Sequence, residues 1–594
     1  MKARRKDNVG VPPLGNSRGS LITDAEGKAK VLSNQYQKVF TTENMRNIPT
    51  LPTGQHPTMR KIKISTKGVT SLLKKLNPNK AIGPDLVSTR ILKEYAEILA
   101  PALSKIFQQT LDSGQVPEDW KKANVSAIYK KANKQDPANY RPVSLTSVAC
   151  KCLEHVIFSE IMNHLDANAI LTSNQHGFRS KRSTESQLII TLDDLSQSLN
   201  EKGHVDVLIL DFSKAFDTVA HNRLLRKLLY YGIQGDTHRW IKNWLTNRTQ
   251  TVVVEGETSE AVPVKSGVPQ GTVLGPLLFL VYINDIGNEV SDSTLRLFAD
   301  NCLLYKNIET RSDEKILQED LDKLSKWADT WQMSFNVGKC YQLKVTNKKA
   351  PIQTEYKMSG QKLQQVEHHP YLGVELSKNL SWGHHIDNIT NRANRSLNFL
   401  RRNISRCSSK TKQMAYKSLV QPHLQYASAA WDPYQANHIR KIERVQSKAA
   451  RFVTNRYGRL DSVTDMRTEL KWQPQQAYRC INRMTVFYKI LKGEIAIPLP
   501  SNISQNQRTN RGSHPHQFIL PPIHIDSFKF SFFPRTIRCW NILPSHVIEQ
   551  PDTDKFKASL TGAFQSKQLY VVPPRDIYHR PRLGSSSLLP GAMY

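Results

Sequence analysis

Cysteine is scarce in this chain: seven among 594 residues, odd in number and scattered. Cys150 and Cys152 form an isolated Cys-x-Cys with no further Cys or His at zinc-ligand spacing. Neither a disulfide framework nor a zinc ribbon is written here, and a reducing intracellular setting is the expectation. No apolar run reaches 18 residues, so no membrane-spanning helix is predicted. Residues 1–20 are basic, carry Pro and Gly and lack an apolar stretch, so a secretory signal is not expected. Acid is also in deficit. There are 51 Asp plus Glu against 83 Lys plus Arg, a formal charge of +32. A surplus of that size selects partners rather than a fold, and nucleic acid or an anionic membrane surface would answer it.

Hydrophobic residues make up 39% of the chain, enough for real cores, and the length predicts two to four domains. Residues 1–60, rich in Pro, Gly, Asn and Thr, read as an extended lead-in. A helix starts after Ser65 or Thr66, because Val69, Leu72, Leu73 and Leu76 recur at i, i+3, i+4, i+7, and Asn77-Pro78 ends it. Ile91, Leu92, Tyr95 and Leu99 share the face of a second helix. Pro101 breaks or restarts it before Leu103, Ile106, Phe107 and Leu111. Together these form a helical segment over 61–123.

Strands are predicted from Val125 onward. Val205 to Leu210 is a nearly continuous apolar run ending in Asp211, the pattern of a strand buried on both faces. The segments 251–254 and 261–264 form one hairpin. Leu295–Phe298 and Cys302–Tyr305 form a tighter one around Ala299, Asp300 and Asn301. Irregular alternation of strands and helices predicts an α+β fold. Beyond residue 376 the strand signals stop. Ile439, Ile442, Val445, Ala449 and Phe452 line one face of a helix crowded elsewhere by Arg440, Lys441, Arg444, Lys448 and Arg451. A basic, Pro- and Arg-rich tail from 501 holds a compact apolar patch at Phe528–Leu543.

Two acids stand at strand ends, Asp211 and Asp300. A lone Asp after a strand usually caps a turn. Two such sites, separated by the Gly- and Pro-rich SGVPQGTVLGP, are more specific. Phosphoryl transfer with two metal ions needs acidic oxygens on rigid elements. Gly267, Gly271 and Gly275 would let backbone approach a ligand closely, and Pro269 stiffens the loop.

The blocks NYRPVSLTS, NQHGFRSKRST, LDFSKAFDTVAH, SGVPQGTVLGPLLFLVYINDI, LFADN, WADTWQMSFNVGKC and YLGV occur in that order. The chain thereby resembles the reverse transcriptases of non-LTR retrotransposons of the jockey and CR1 type, over roughly residues 20 to 565. The resemblance implies a right-hand polymerase: fingers and antiparallel palm at 124–375, a helical basic thumb at 376–500 and a small C-terminal extension at 501–594. It implies RNA-directed DNA polymerase activity, an RNA template, a DNA primer, dNTPs and two Mg²⁺ ions, with Mn²⁺ as the substitute. Asp211, Asp300 and the Phe212 carbonyl match metal ligands. Asn301 stands where the family carries a second Asp. Phe216 matches the gate that excludes a ribose 2′-OH, with Asp217 behind it as a structural residue. Arg141 matches the arginine that grips the triphosphate, with Lys130 and Lys131 as weaker candidates for the same pocket. Gln270 and Gly271 match the nucleotide site, and Lys339 the lysine that protonates pyrophosphate. Tyr371, Leu372 and Gly373 match the primer grip.

The departures carry their own expectations. Asn301 brings an amide oxygen without charge, which predicts a barrier higher by roughly 2–4 kcal/mol, on the order of 10²–10³ in rate. A catalytically decayed nucleic-acid-binding protein on the same scaffold is therefore the alternative. A group II intron maturase lacks its segment after the thumb, and a viral RNA polymerase conflicts with Phe216. Residues 1–60 are too short for the endonuclease that precedes the polymerase in such elements, and no Cys-Cys-His-Cys knuckle or RNase H acid set is readable. Chromosomal target DNA as a partner implies nuclear access, with cytoplasm as the alternative. Self-association is left open. The basic helix is expected on the duplex, with salt-sensitive binding.

Overall fold

Strand His204–Asp211 organises the molecule, and every one of its residues but the last is buried. Alternation splits its apolar side chains between two cores. Leu208 and Leu210 enter one with the amino-terminal helices. Val205, Val207 and Ile209 enter the other with the carboxyl-terminal helices. That double burial is why the segment reads as an unbroken apolar run. It sits at the centre of a five-stranded sheet in the order Gln364–Val366, Tyr341–Thr346, His204–Asp211, Asn301–Asn307, Thr294–Phe298. All pairings are antiparallel except that of the edge strand Gln364–Val366. Asp206, fully buried on this strand, accepts hydrogen bonds from Thr354 (2.5 Å) and Tyr356 (2.8 Å) and lies 2.9 Å from His204.

The computed structural model describes residues 10–16, 19–52, 54–506 and 514–565, and the backbone of 570–571 and 592–593. The first nine residues of the predicted lead-in and residues 572–591 of the predicted tail lie outside the described residues. A second sheet runs Tyr140–Leu145, Lys122–Tyr129, Thr249–Val254, Glu257–Thr258, with Val262–Pro263 also on Thr249–Val254. The whole is a mixed α/β structure. From Gly383 to Leu491 it is mainly helical, with Gly383–Asn403, Ser409–Leu419, Ala436–Thr454 and Gln475–Leu491 as its main helices.

Several expectations are corrected. Residues 1–60 are not simply extended, because Ala25–Gln37 is a helix capped by Asp24, whose carboxylate accepts from the Gly27 N–H. Its buried face is Ala29, Leu32, Ser33 and Tyr36, too weakly apolar to stand out from a Pro- and Asn-rich neighbourhood. Helix Thr66–Lys74 starts behind a Ser65 cap, where the sequence puts it. The next break falls at Tyr95, not at Pro101, which lies inside helix Ala96–Ser113. Proline there forfeits only the bond to the carbonyl of Glu97, an exposed residue. The buried face is rotated as well: Leu92, Ala96, Ala100, Phe107 and Leu111 are buried, whereas Ile91 and Tyr95 are exposed. The patch Phe528–Leu543 is not a separate unit either. Helix Asp526–Lys529, which carries the buried Phe528, packs on helix Thr184–Asn200, and helix Phe532–Trp540 adds Phe532, Phe533, Ile537 and Trp540 to the same core as Gln475–Leu491. Each such side chain contributes about 1.5–3 kcal/mol by burial.

Candidate active site

Two acids meet because one hairpin folds back on the central strand. Asn301, the first residue of Asn301–Asn307, lies directly across from Asp211, the last residue of His204–Asp211. Asp300 therefore sits in the turn beside Asp211. Ala299 makes that turn in the left-handed region, with φ 52°. Asp211 and Asp300 line one cleft of about 720 Å³, together with the backbone segment from Phe212 to Ala215. The Phe212 peptide is fixed on both sides. Ser213 N–H donates to Ser334 O at 2.8 Å, and Asn336 N–H donates to Asp211 O at 2.7 Å. Phe212 itself stacks on Phe335 at 4.2 Å.

The electrostatics are those of acids waiting for cations. Burial and the charge of Asp211 push the Asp300 carboxyl above its usual range, against the pull of its own N–H, Arg141 and Lys130. The one ion pair on Asp211 among the described residues is loose: Lys339 Nζ at 3.8 Å. Lys130 is held below the usual lysine value by burial and by Arg141 and Lys339, with Asp211 and Asp300 opposing. Burial is the larger cause of both shifts, and like charges on each side add to it.

The other walls come from the second sheet and the Gly-rich loop. Arg141 is the second residue of strand Tyr140–Leu145 and Lys130 follows strand Lys122–Tyr129; the two strands are paired, so both cations reach the same cleft, with Lys131 beside them. The loop is bolted to that sheet where Ser144 N–H donates to Gln270 O at 2.7 Å. Gly271, at φ 104°, permits this contact, since a Cβ there would stand 2.6 Å from Ser144 O. Gly267 does the same against the turn before it, where a Cβ would meet the carbonyls of Asp217 and Phe216 at 2.7 and 2.8 Å. These glycines thus admit neighbouring backbone, and Gly271 also lines the cleft. Phe216 lines the cleft and stacks on Phe279 at 4.4 Å. Gln270 Nε2 donates to Asp217 Oδ1 at 2.9 Å, so Asp217 holds the Gln270 amide. Phe178, from the NQHGFRSKRST block, also lines the cleft and stands edge-on to Phe216 at 6.3 Å. No pattern in the sequence marks it, because an exposed aromatic after a glycine has no periodicity to betray it.

Four expected site residues lie outside this cleft. Asn301 is exposed and its amide donates to Phe298 O at 3.3 Å. Tyr371 is buried, its hydroxyl accepting from Gln187 at 3.2 Å. Leu372 and Gly373 form the turn of hairpin His368–Tyr371/Val374–Ser377, against the ring of Tyr426. Among the described residues no group of three or more His, Cys, Asp and Glu side chains converges. The oxygen donors at the cleft are the carboxylates of Asp211 and Asp300 and backbone carbonyls, with a third carboxylate, Asp217, already bonded to Gln270; that is the chemistry of a hard divalent cation and not of a soft one.

Residues 129–376 match the family described as reverse transcriptase (RNA-dependent DNA polymerase). The chain is 29% identical over 405 residues to the RNA-directed DNA polymerase from mobile element jockey of Drosophila melanogaster, covering 66% of this chain and 44% of that protein. It is 27% identical over 472 residues to the probable RNA-directed DNA polymerase from transposon BS of the same fly, covering 75% and 51%. To its counterpart from transposon X-element it is 26% identical over 464 residues, covering 74% and 50%. The chain thus spans about half the length of the curated relatives it matches.

Proposed function

We propose that this chain, which carries a reverse transcriptase domain over residues 129–376, is the RNA-directed DNA polymerase of a non-LTR retrotransposon. The observation that carries the reading is the convergence of Asp211 and Asp300 in one cleft with Arg141, Gln270 and Lys339. In this reading the second sheet belongs to the fingers, the central sheet is the palm, and the helices from Gly383 to Leu491 are the thumb. The described residues between 501 and 565 form an extension packed on the thumb.

Asp211, Asp300 and the Phe212 carbonyl would hold the divalent ions, Mg²⁺ by preference, with Asn301 as a neutral neighbour. Bound ions would supply charge neutralisation for a triphosphate and a primer hydroxyl. The chain's own residues do the rest. Arg141 and Lys130 grip triphosphate oxygens from the second-sheet side, where a planar guanidinium fork suits phosphate. Phe216, braced by Phe279 and flanked by Phe178, fills the space beside the sugar C2′ and so selects dNTPs. Gln270, fixed by Asp217, faces the base. Lys339 hands a proton to departing pyrophosphate. Leu372 and Gly373 steady the primer end. Template RNA, primer DNA and a chromosomal target are held by phosphate contacts, to which Arg440, Arg444 and Lys448, exposed on helix Ala436–Thr454, contribute.

A second reading rests on Asn301. Its amide is turned to Phe298 O and brings no charge to the cleft, so the scaffold could bind nucleic acid with little or no chemistry. Primer extension on an RNA template by the natural protein and by Asn301→Asp separates the two. The polymerase reading expects measurable dNTP incorporation, rising on the order of 10²–10³ in the variant. No incorporation by either protein, with RNA–primer binding intact, would leave the binding protein standing.

A further inference from the structure

The turn that carries Asp300 is gripped by a side chain to which neither the fold nor the chemistry above has given a task. Residues 174–176 run alongside strand Thr294–Phe298: Leu297 N–H donates to Asn174 O, and His176 N–H to Leu297 O, each at 2.9 Å. This brings the Gln175 side chain, only 3% exposed, onto the left-handed residue Ala299. Gln175 Oε1 accepts from Ala299 N–H at 2.8 Å and from Gly177 N–H at 2.7 Å, while Nε2 donates to Ala299 O at 3.3 Å. The amide therefore pairs with both polar groups of one residue as another peptide would. It does so next to Asp300, where a tight turn leaves these groups no ladder partner.

Three neighbours make this a built arrangement. Gly177 is obligatory, since a Cβ there would lie 2.4 Å from Ala299 N. Arg182 donates to the Gln175 carbonyl at 3.0 Å, which holds the segment from behind. His176 is locked by Ser186 at 2.9 Å. An ordinary hairpin turn needs no such bracket. This one displays a carboxyl that burial and Asp211 both work against.

We propose that Gln175 is a positioning residue for Asp300: its amide fixes the Ala299 peptide, and through it the direction in which the Asp300 carboxylate meets a divalent cation. The proposal rests on the assignment of Asp300 as a metal ligand. Groups that orient metal ligands from behind typically alter affinity or activity by about 10–100-fold when removed.

The test uses the full chain with Gln175→Met, which keeps length and volume but not the hydrogen bonds, and Gly177→Ala, which presses on Ala299 with Gln175 intact. Amide hydrogen exchange over residues 297–303 reads the turn, Mn²⁺ titration followed by electron paramagnetic resonance reads the metal site, and primer extension gives kcat and dNTP KM. Both variants are expected to speed exchange in that peptide alone and to weaken Mn²⁺ binding about tenfold. They should lower kcat with KM changed by less than about twofold, because Arg141 and Phe216 are untouched. If Gln175→Met does not fold, Gly177→Ala decides on the same readouts. Unchanged exchange at 297–303, or faster exchange with Mn²⁺ affinity unchanged, overturns the proposal. Absence of Mn²⁺ binding by the natural protein would instead remove the polymerase reading and with it the metal half of the proposal, and exchange would still decide the clamp.

Discussion

Two clusters of opposite charges, built from the same residue types, lie at opposite extremes of closure. In the helical region Asp432 is buried among three guanidinium groups. Arg479 Nε donates to it at 2.7 Å, Arg483 also donates to it, and Arg535 approaches to 3.3 Å while bonding the Asp432 backbone at 2.7 Å. In the cleft, Asp211 and Asp300 face Arg141, Lys130 and Lys339, and among the described residues the nearest ion pair on either carboxylate is the 3.8 Å contact of Lys339. Both clusters gather cations around acid. One satisfies both carboxylate oxygens from its own chain, tying helix Gln475–Leu491 to helix Phe532–Trp540. The other holds acid and base apart across a gap wide enough for a ligand, so its electrostatic energy is left for something that enters.

The contrast predicts that charge removal acts on different quantities in the two places. The largest effect is expected at the closed cluster. Asp432→Ala leaves three buried guanidiniums without their acid and should lower unfolding free energy by about 3–5 kcal/mol. Denaturant or thermal unfolding measures it, and a loss under about 1 kcal/mol would mean the guanidiniums find other partners. Next comes the open cluster's cation. Arg141→Lys replaces a planar fork by a point charge and should raise dNTP KM roughly tenfold, about 1.4 kcal/mol, with stability unchanged because the side chain is exposed. A fall in melting temperature with KM unchanged would make Arg141 a structural residue and erase the difference between the clusters.

Asn301→Asp sharpens the comparison from the other side. Position 301 is directly across from Asp211, so the new carboxylate is a cross-strand like charge. In a chelator it should cost about 0.2–1 kcal/mol of stability, and Mg²⁺ should return it. Equal melting temperatures with and without Mg²⁺ would show that the third acid does not face the ion site.

How much of this could be read from the sequence follows from how each feature is made. Strand His204–Asp211 and its acid were legible because double burial writes a continuous apolar run. The Ser65 cap was legible because a helix start has local chemistry. The Asp432 cluster was not, since its partners lie 47 to 103 positions away and carry no period. Helix Ala25–Gln37 was missed because its face is built of Ala, Ser and Tyr around one Leu. Gln175 and Phe178 sit in a block that the family resemblance flags, yet only the folded chain shows what Ala299 and Phe216 ask of them. The cleft's acids thus come from local pattern, its cations from the family resemblance, and its clamps only from tertiary placement.

The pH dependence is the cleanest discriminator, because its sign differs between the clusters. Burial and Asp211 raise the folded-state pKa of Asp300 above its unfolded value. Between those two values the folded chain binds more protons than the unfolded one, so stability falls as pH rises through the window, and the penalty is complete above it. Asp432 is the reverse. Burial works to raise it, but Arg535, Arg479 and Arg483 outweigh burial and hold it below the usual range. Its contribution is complete above the unfolded carboxylate value and is lost as pH falls through the folded one. In metal-free buffer, Asp300→Asn should therefore be more stable than the natural chain at neutral pH, and the gain should vanish on acidification. Asp432→Asn should be less stable at neutral pH, and the loss should shrink on acidification. Unfolding curves of the two variants across pH 3 to 8, read against the parent, decide it. Differences of the same sign for both would mean that the cleft acids are already satisfied by the protein, and that the open cluster is not open.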